Sequence, residues 1–243
     1  MSDRCRLRIA LWFTLSLGVA WVAPAITKEA EPRYQTVPAN VDGIGKAYMG
    51  RQIAHVMGFQ GAAWLEREER EHEERSDLLL QILAPLVGST VADVGAGTGY
   101  YTRRVADLVG PTGQVYAVDV QPEMFAMLQS IAKQRTYGHI TPVLGDVRDV
   151  KLPAASVDVA IMVDVYHELE FPYEVLASVV RAVKPGGRVV FVEYRAEDSR
   201  VPIKRLHKMS EEQIRREAKL HPLVWERTAN DLPWQHVVIF KRK

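Results

Sequence analysis

A doubly wound α/β fold with a mainly parallel sheet is the class this sequence predicts, on three observations. Val91-Ala92-Asp93-Val94 is a short apolar run that enters Gly95-Ala96-Gly97-Thr98-Gly99-Tyr100, a glycine turn of the kind that opens a helix at the carboxyl edge of a sheet. Downstream, apolar runs of strand length alternate with segments of helical periodicity. That order suits parallel strands joined by right-handed crossovers.

The beginning of the chain is different in kind. Arg4, Arg6 and Arg8 precede an apolar run from Ile9 to Ala23, and Ala23-Pro24-Ala25 supplies a small-residue ending. This is the layout of a secretory signal peptide over residues 1–25, which sends the remaining chain out of the cytoplasm and into the periplasm. Left uncut, Ile9 to Ala25 provides about 17 mostly apolar residues, at the short limit for a span, and the protein would stay anchored to the inner membrane by residues 9–25. A buried N-terminal helix is the third alternative. Cys5, the single cysteine, precedes the apolar run, so cleavage leaves a thiol-free protein compatible with an oxidising compartment.

Residues 26–75 read as a loop followed by helices that form a cap. Gly45, Gly50, Gly58 and Gly61 interrupt this part, while Met57, Phe59, Trp64 and Leu65 give it apolar surface. The charge run from Glu66 to Arg75 reads as a solvated helix with i,i+4 ion pairs and no catalytic role. Ser76 and Asp77 can cap the next helix, which carries Leu79, Leu80, Ile82 and Leu83 to the core.

The main domain, residues 76–243, follows element by element. After the first strand and its glycine turn, Val115-Tyr116-Ala117-Val118-Asp119-Val120 is a β-branched run whose acid falls 20 residues beyond Gly99, where a second strand would set a carboxylate against a ribose diol. Pro122 suits the first turn of a helix with Met124, Met127, Leu128 and Ile131 on one face. Ile140 to Val147 reads as a third strand ending in Gly145-Asp146, and Val157 to Val163 as a fourth. A helix from Pro172 places Leu176, Val179, Val180 and Val183 together. Lys184-Pro185-Gly186-Gly187 stops it, and Arg188 to Glu193 is the next strand.

A nicotinamide or flavin fingerprint, G-x-G-x-x-G, would need its third glycine at position 100, where this chain has Tyr100. Asp93-x-Gly95-x-Gly97-x-Gly99 instead resembles the first motif of class I S-adenosylmethionine (SAM)-dependent methyltransferases, and the resemblance runs over roughly residues 77–243. It implies a Rossmann-like seven-stranded sheet, with Leu223 to Arg227 and His236 to Phe240 as a closing hairpin whose last strand is antiparallel. It also implies SAM as cofactor. Asp93, Gly95 and Gly97 would line its methionine end and Asp119 would take the ribose hydroxyls. Asp146 and the backbone of Val147 would hold the adenine edge, and Gly99 and Val120 complete the set. Alone, Asp119 and Asp146 fit strand-end and turn chemistry equally well; their joint spacing with the glycines favours a ligand. The resemblance also implies that Tyr48 to Trp64 covers the acceptor pocket. Within the family, the chain resembles a group of bacterial exported methyltransferase-like proteins that share Val163-Asp164-Val165-Tyr166-His167-Glu168 and Leu206-His207-Lys208-Met209.

Methyl transfer from a sulfonium is an in-line displacement that asks for alignment and, with a protic acceptor, for a base. His167, following the fourth strand beside the expected methyl, is the first candidate and His207 the second; Tyr166 and Glu193 are expected to shape the pocket. The seven histidines are scattered singly and no H-x₃-H or C-x₂-C spacing occurs, so no metal site is expected. The lack of cysteines after leader cleavage also argues against the thiolate-dependent arsenite methyltransferases, while the quinone-ring C-methyltransferases offer an analogy. A chain of 243 residues that is 47% hydrophobic and 25% charged, with net charge +1, can fill a substantial core and shows no bias towards nucleic acid. The expected partner is a small-molecule methyl acceptor, with membrane contact only through an uncleaved leader. The alternative is a non-catalytic SAM- or nucleoside-binding module on the same fold.

Overall fold

The computed structural model describes residues 33–38, 40–134 and 137–243, so the leader expected over residues 1–25 lies outside the described residues. Among the described residues no helix is long and apolar enough to cross a membrane.

The described chain begins with three short strands, β1 (Tyr34–Thr36), β2 (Gly43–Tyr48) and β3 (Arg51–Ala54), paired antiparallel in that order. This corrects the expected loop and helices. The β2–β3 hairpin closes over Met49 and Gly50, both at positive φ (49° and 84°), the backbone that two-residue hairpin turns require. Met-Gly lacks the usual Asn or Asp turn signal, and Gly45 interrupts the alternation of β2, which is why the strands are hard to read in the sequence. Helices appear only later, as α1 (Ala62–Leu65) and α2 (Arg70–Glu74).

Helix α3 (Ser76–Leu83) buries Leu79 and Leu83. Ser76 does not cap it: Arg75 is the left-handed residue at its start, and the Ser76 hydroxyl instead donates to Glu71. The main sheet then forms from β4 (Thr90–Val94), β5 (Gln114–Asp119), β6 (Ile140–Leu144), β7 (Val157–Val163), β8 (Val183–Tyr194), β9 (Leu223–Ala229) and β10 (Gln235–Arg242), in the order β6-β5-β4-β7-β8-β10-β9. The pairs from β6 to β8 are parallel, and β10 is antiparallel to both β8 and β9. The strand order reverses direction beside β4, where a crevice opens between the carboxyl ends of β4 and β7.

Alternation along the strands divides the core into two layers. Val91, Val115, Ala117, Val159, Ile161, Val190 and Val192 join α3 and α4 (Tyr100–Val109) on one face. Ala92, Val94, Val118, Ala160, Met162, Val189 and Phe191 join α6 (Pro172–Ala182) and α7 (Glu211–Ala218) on the other. Helix α5 (Pro122–Ala132) starts at its proline as expected and buries Met124, Leu128 and Ile131, but Met127 lies on the flank of that stripe and is partly exposed.

Two boundaries move. The third strand stops at Leu144, and Gly145 to Asp149 is a turn closed by Asp146. Lys184 to Gly187 does not precede its strand but bulges within it: Val157 pairs with Val183 and Val159 with Arg188, so four residues are looped out.

Candidate active site

The glycine turn leaves β4 with Gly95 at φ 74° and Gly97 at φ 54°, backbone that a side chain would strain. A Cβ on Gly95 would lie 2.3 Å from Val165 Cγ2, and one on Gly97 2.7 Å from Leu65 Cδ1, so strand-end loop and cap both press onto this turn. The N–H groups of Gly95 and Ala96 donate to Val118 O and fasten the turn to β5. Gly95 and Gly97 line a cavity of about 900 Å³ that runs along the carboxyl ends of the strands, large enough for a nucleoside-sized ligand together with a second small molecule.

Asp119, at the end of β5, lines the same cavity. Its two oxygens accept from Gly97 N (2.9 Å) and Gln121 N (2.9 Å). Burial raises its pKa, and those backbone donors oppose the rise. Val120 and Val147 are exposed apolar side chains on the cavity wall, facing the same space as Met124. Asp146 also lines it, with Oδ1 closing the local turn on Arg148 N (2.8 Å) and Asp149 N (2.9 Å), and Oδ2 on Lys151 Nζ (2.6 Å). Hydrogen bonding to Lys151 and to those backbone groups lowers its pKa.

Two of the expected cofactor residues stand behind the cavity. Asp93 is buried and accepts from Thr102 Oγ1 (2.6 Å), tying α4 to β4. Burial, reinforced by the charge of Asp119, pushes its carboxyl up to about 6 against that hydrogen bond. Gly99 caps α4 and packs against Leu128 and Ile131, where it determines how closely α4 meets α5. Both residues shape the turn from beneath because they belong to the strand and helix that it joins.

A polar corner that sequence reasoning missed closes the cavity beyond Gly95. Arg70 Nε donates to Glu74 Oε2 (2.8 Å), and Tyr194 Oη donates to Glu74 Oε1 (2.9 Å). Asp164, at φ 54° after β7, accepts from Gln235 Nε2 (2.8 Å) at Oδ2, while its buried Oδ1 has no partner. Burial and the neighbouring Glu74 and Glu193 charges drive the Asp164 pKa well up, with Arg70 opposing. Arg70, Glu74, Asp164 and Tyr194 all line the cavity. The expected solvated helix over Glu66 to Arg75 is therefore corrected in part. The i,i+4 pair Arg70–Glu74 exists, but it is buried, and Arg67 also reaches Glu74 (2.9 Å). The alternating charges gave no register by which to pick out the inward-facing pair.

At the mouth, the 3-10 turn Tyr166–Glu168 and the 3-10 turn Arg205–His207 meet. Glu193, fully buried on β8, accepts from Tyr166 N (2.8 Å) and from His167 Nδ1 (2.6 Å). Tyr166 packs edge-on against Phe191, and neither Tyr166 nor Glu193 lines the cavity; they support the turn that carries His167. His167 and His207 do line it, with His167 Nε2 3.2 Å from His207 Nδ1. Glu168 joins them: its Oε1 is 3.1 Å from His207 Nδ1 and 3.6 Å from His167 Nε2, and its Oε2 accepts from Met57 N (3.1 Å). Burial alone would lower the His167 pKa, but Glu193 and Glu168 outweigh it and hold the imidazole up at about 10. Burial likewise works against Glu168, yet its contacts with His167 and His207 bring it down to about 2. Both ring nitrogens of His167 are thus engaged, with the two carboxylates favouring its charged form, while His207 keeps partial exposure. The fold also brings His167, Glu168 and His207 close enough for their ligand atoms to hold a metal ion, an arrangement that single histidines 40 residues apart do not announce.

Arg51 on β3 ties the small sheet to this mouth. It donates Nε to Glu217 Oε1 (2.9 Å), Nη2 to Glu217 Oε2 (3.1 Å) and Nη1 to His167 O (3.0 Å).

Comparison with known proteins agrees with this architecture. Residues 92–191 match the methyltransferase domain family. The chain is 31% identical over 126 residues to a demethylmenaquinone methyltransferase of Bacillus licheniformis, covering 51% of this chain and 53% of that protein. It is 30% identical over 108 residues to a ubiquinone/menaquinone biosynthesis C-methyltransferase of Ectopseudomonas mendocina, covering 44% and 42%. The chain thus spans about half the length of the curated relatives it matches. A SAM-dependent methyltransferase from Aquifex aeolicus shares the fold with a TM-score of 0.72 at 22% identity, over 77% of this chain and 100% of that one.

Proposed function

We propose that the cavity binds SAM and that the chain transfers its methyl group to a small-molecule acceptor. The observation that carries this reading is the convergence of the Gly95–Gly97 turn and the Asp119 carboxylate on one cavity at the switch point of a methyltransferase-type sheet. Asp119 would accept from the ribose hydroxyls, and Val120, Met124 and Val147 would sandwich the adenine with Asp146 at its edge. The amino-acid end would enter the polar corner, its carboxylate towards Arg70 and its ammonium towards the unpartnered Oδ1 of Asp164. A cation there also offsets the cost of burying the Asp164 charge.

This orientation aims the sulfonium methyl at the mouth, where His167, Glu168 and His207 stand. Alignment would then supply most of the rate, as an in-line displacement requires. His167, clamped by Glu193, would orient the acceptor or donate to it, and His207 would receive a proton where the acceptor loses one. Val41, Ile44, Val56 and Ile203 line the outer wall, which suits an apolar acceptor, and the quinone C-methyltransferase relatives point the same way. The test is calorimetric titration with SAM and S-adenosylhomocysteine, followed by transfer of labelled methyl to phenolic and quinol acceptors. Binding with turnover supports the enzyme; binding with no turnover on any acceptor supports the non-catalytic module.

Residues 9–25 would carry the domain out of the cytoplasm, a reading supported by the arginine-flanked apolar pattern. Cell fractionation tests it: recovery in the periplasm or on the inner membrane supports export, and full-length chain in the cytoplasmic fraction contradicts it.

A further inference from the structure

We propose that His167, Glu168 and His207 form a binding site for one divalent transition-metal ion of the zinc class. The three donor atoms make a compact triangle, with His167 Nε2 to His207 Nδ1 at 3.2 Å, His207 Nδ1 to Glu168 Oε1 at 3.1 Å and His167 Nε2 to Glu168 Oε1 at 3.6 Å. Ligands held at zinc–nitrogen and zinc–oxygen distances in a tetrahedron stand about 3.4 Å apart. An ion about 2.1 Å from all three atoms would sit roughly 0.9 Å out of their plane, close to the height of a tetrahedral centre above its base. The separations of the three donor atoms already suit one ion.

The surrounding contacts are those that metal ligands use. Glu193 Oε2 holds His167 Nδ1 at 2.6 Å, which fixes the ring with Nε2 on the side of His207 and Glu168; a carboxylate behind a ligating histidine commonly does this. Glu168 has Oε2 occupied by Met57 N at 3.1 Å, which leaves Oε1 for the ion. His167 is itself anchored at its carbonyl by Arg51. Two imidazoles and one carboxylate, with no thiolate, suit zinc, cobalt, nickel or iron better than magnesium or calcium. With three protein donors, a fourth position stays open. All three residues line the cavity, so that position would take water or an oxygen of a molecule bound there. The site depends neither on bound SAM nor on methyl transfer.

The experiment uses the full chain, purified in mild detergent without a polyhistidine tag, stripped with chelator and titrated with Co²⁺. The expected result is one equivalent bound, visible d–d absorption of a low-symmetry centre, and displacement of the colour by Zn²⁺. Zn²⁺ should also raise the melting temperature. His207→Ala and Glu168→Gln should each weaken Co²⁺ binding by about tenfold or more, at least as much as loss of a supporting contact does. His55→Ala, in the same cavity but outside the triangle, should leave it unchanged. The absence of a cobalt spectrum from the unsubstituted protein would overturn the proposal. So would a spectrum and affinity that persist in both His207→Ala and Glu168→Gln.

Discussion

Replacing Arg51 by Met would test how the small N-terminal sheet holds the mouth in place. Arg51 has only about a tenth of its side chain exposed (10%), Glu217 has none (0%), and their bidentate pair is completed by the bond from Arg51 to His167 O. Methionine keeps much of the buried stem volume, so the cost comes mainly from leaving the Glu217 carboxylate buried without its charged partner, although Gln213 Nε2 (2.6 Å) still donates to it. Breaking one partner of such a pair costs about 3–5 kcal/mol. Replacing both partners by apolar groups removes the stranded charge, so Arg51→Met with Glu217→Leu should recover most of that loss. Urea unfolding of the wild type, both single variants and the double variant closes the cycle. The reasoning is refuted if Arg51→Met costs less than about 1 kcal/mol, the range of an exposed pair, or if the double variant is no more stable than Arg51→Met.

Asp93 gives a pH prediction. The folded protein holds this proton up to about pH 6, whereas an unfolded aspartate releases it near 3.8, so the native state binds more protons between these values and stability falls as pH rises through that window. Asp93→Asn keeps an acceptor for Thr102 and removes the slope, gaining on the order of 3 kcal/mol well above pH 6; a stability difference that stays constant from about pH 4 to pH 7 would show that Asp93 ionises normally. Asp164→Asn should weaken SAM and S-adenosylhomocysteine alike by about tenfold while raising the melting temperature, because it removes an acid whose Oδ1 is buried without a partner, and unchanged affinity by calorimetry would take Asp164 out of the site. For methyl transfer, His207→Ala should cut turnover by roughly 10²-fold with SAM binding intact. His167→Ala should in addition lower the melting temperature, since it strands the buried Glu193, and equal stability of the two variants would count against the clamp.

The elements that position the cofactor end were legible because their signals are local. Val91 to Val94 followed by Gly95 and Gly97, the acid at Asp119 and the proline at Pro122 each mark a strand end or a helix start by their own chemistry. The mouth was legible only in part. The sequence offers His167 and His207 as candidates, but the clamp on His167 needs Glu193 from another strand, and the contact of Glu168 depends on His207, 39 residues further along the chain. Arg70, Glu74 and Asp164 stayed hidden for a further reason. In a run of alternating charges, only tertiary packing decides which pair turns inward, and Asp164 faces the cavity because its backbone adopts positive φ, which an aspartate does not declare. The small sheet β1–β3 went unread because its hairpin turn is Met-Gly and its strands are short.

The most direct test is calorimetric titration of the full chain and of Asp119→Ala with SAM, with circular dichroism confirming that both are folded. The account predicts saturable, one-to-one binding to the unsubstituted chain and at least tenfold weaker binding to the variant, a loss of about 1.4 kcal/mol or more. Absence of binding to the unsubstituted chain would contradict the cofactor site, and equal affinity in a folded Asp119→Ala protein would contradict its assignment to the glycine turn and the end of β5.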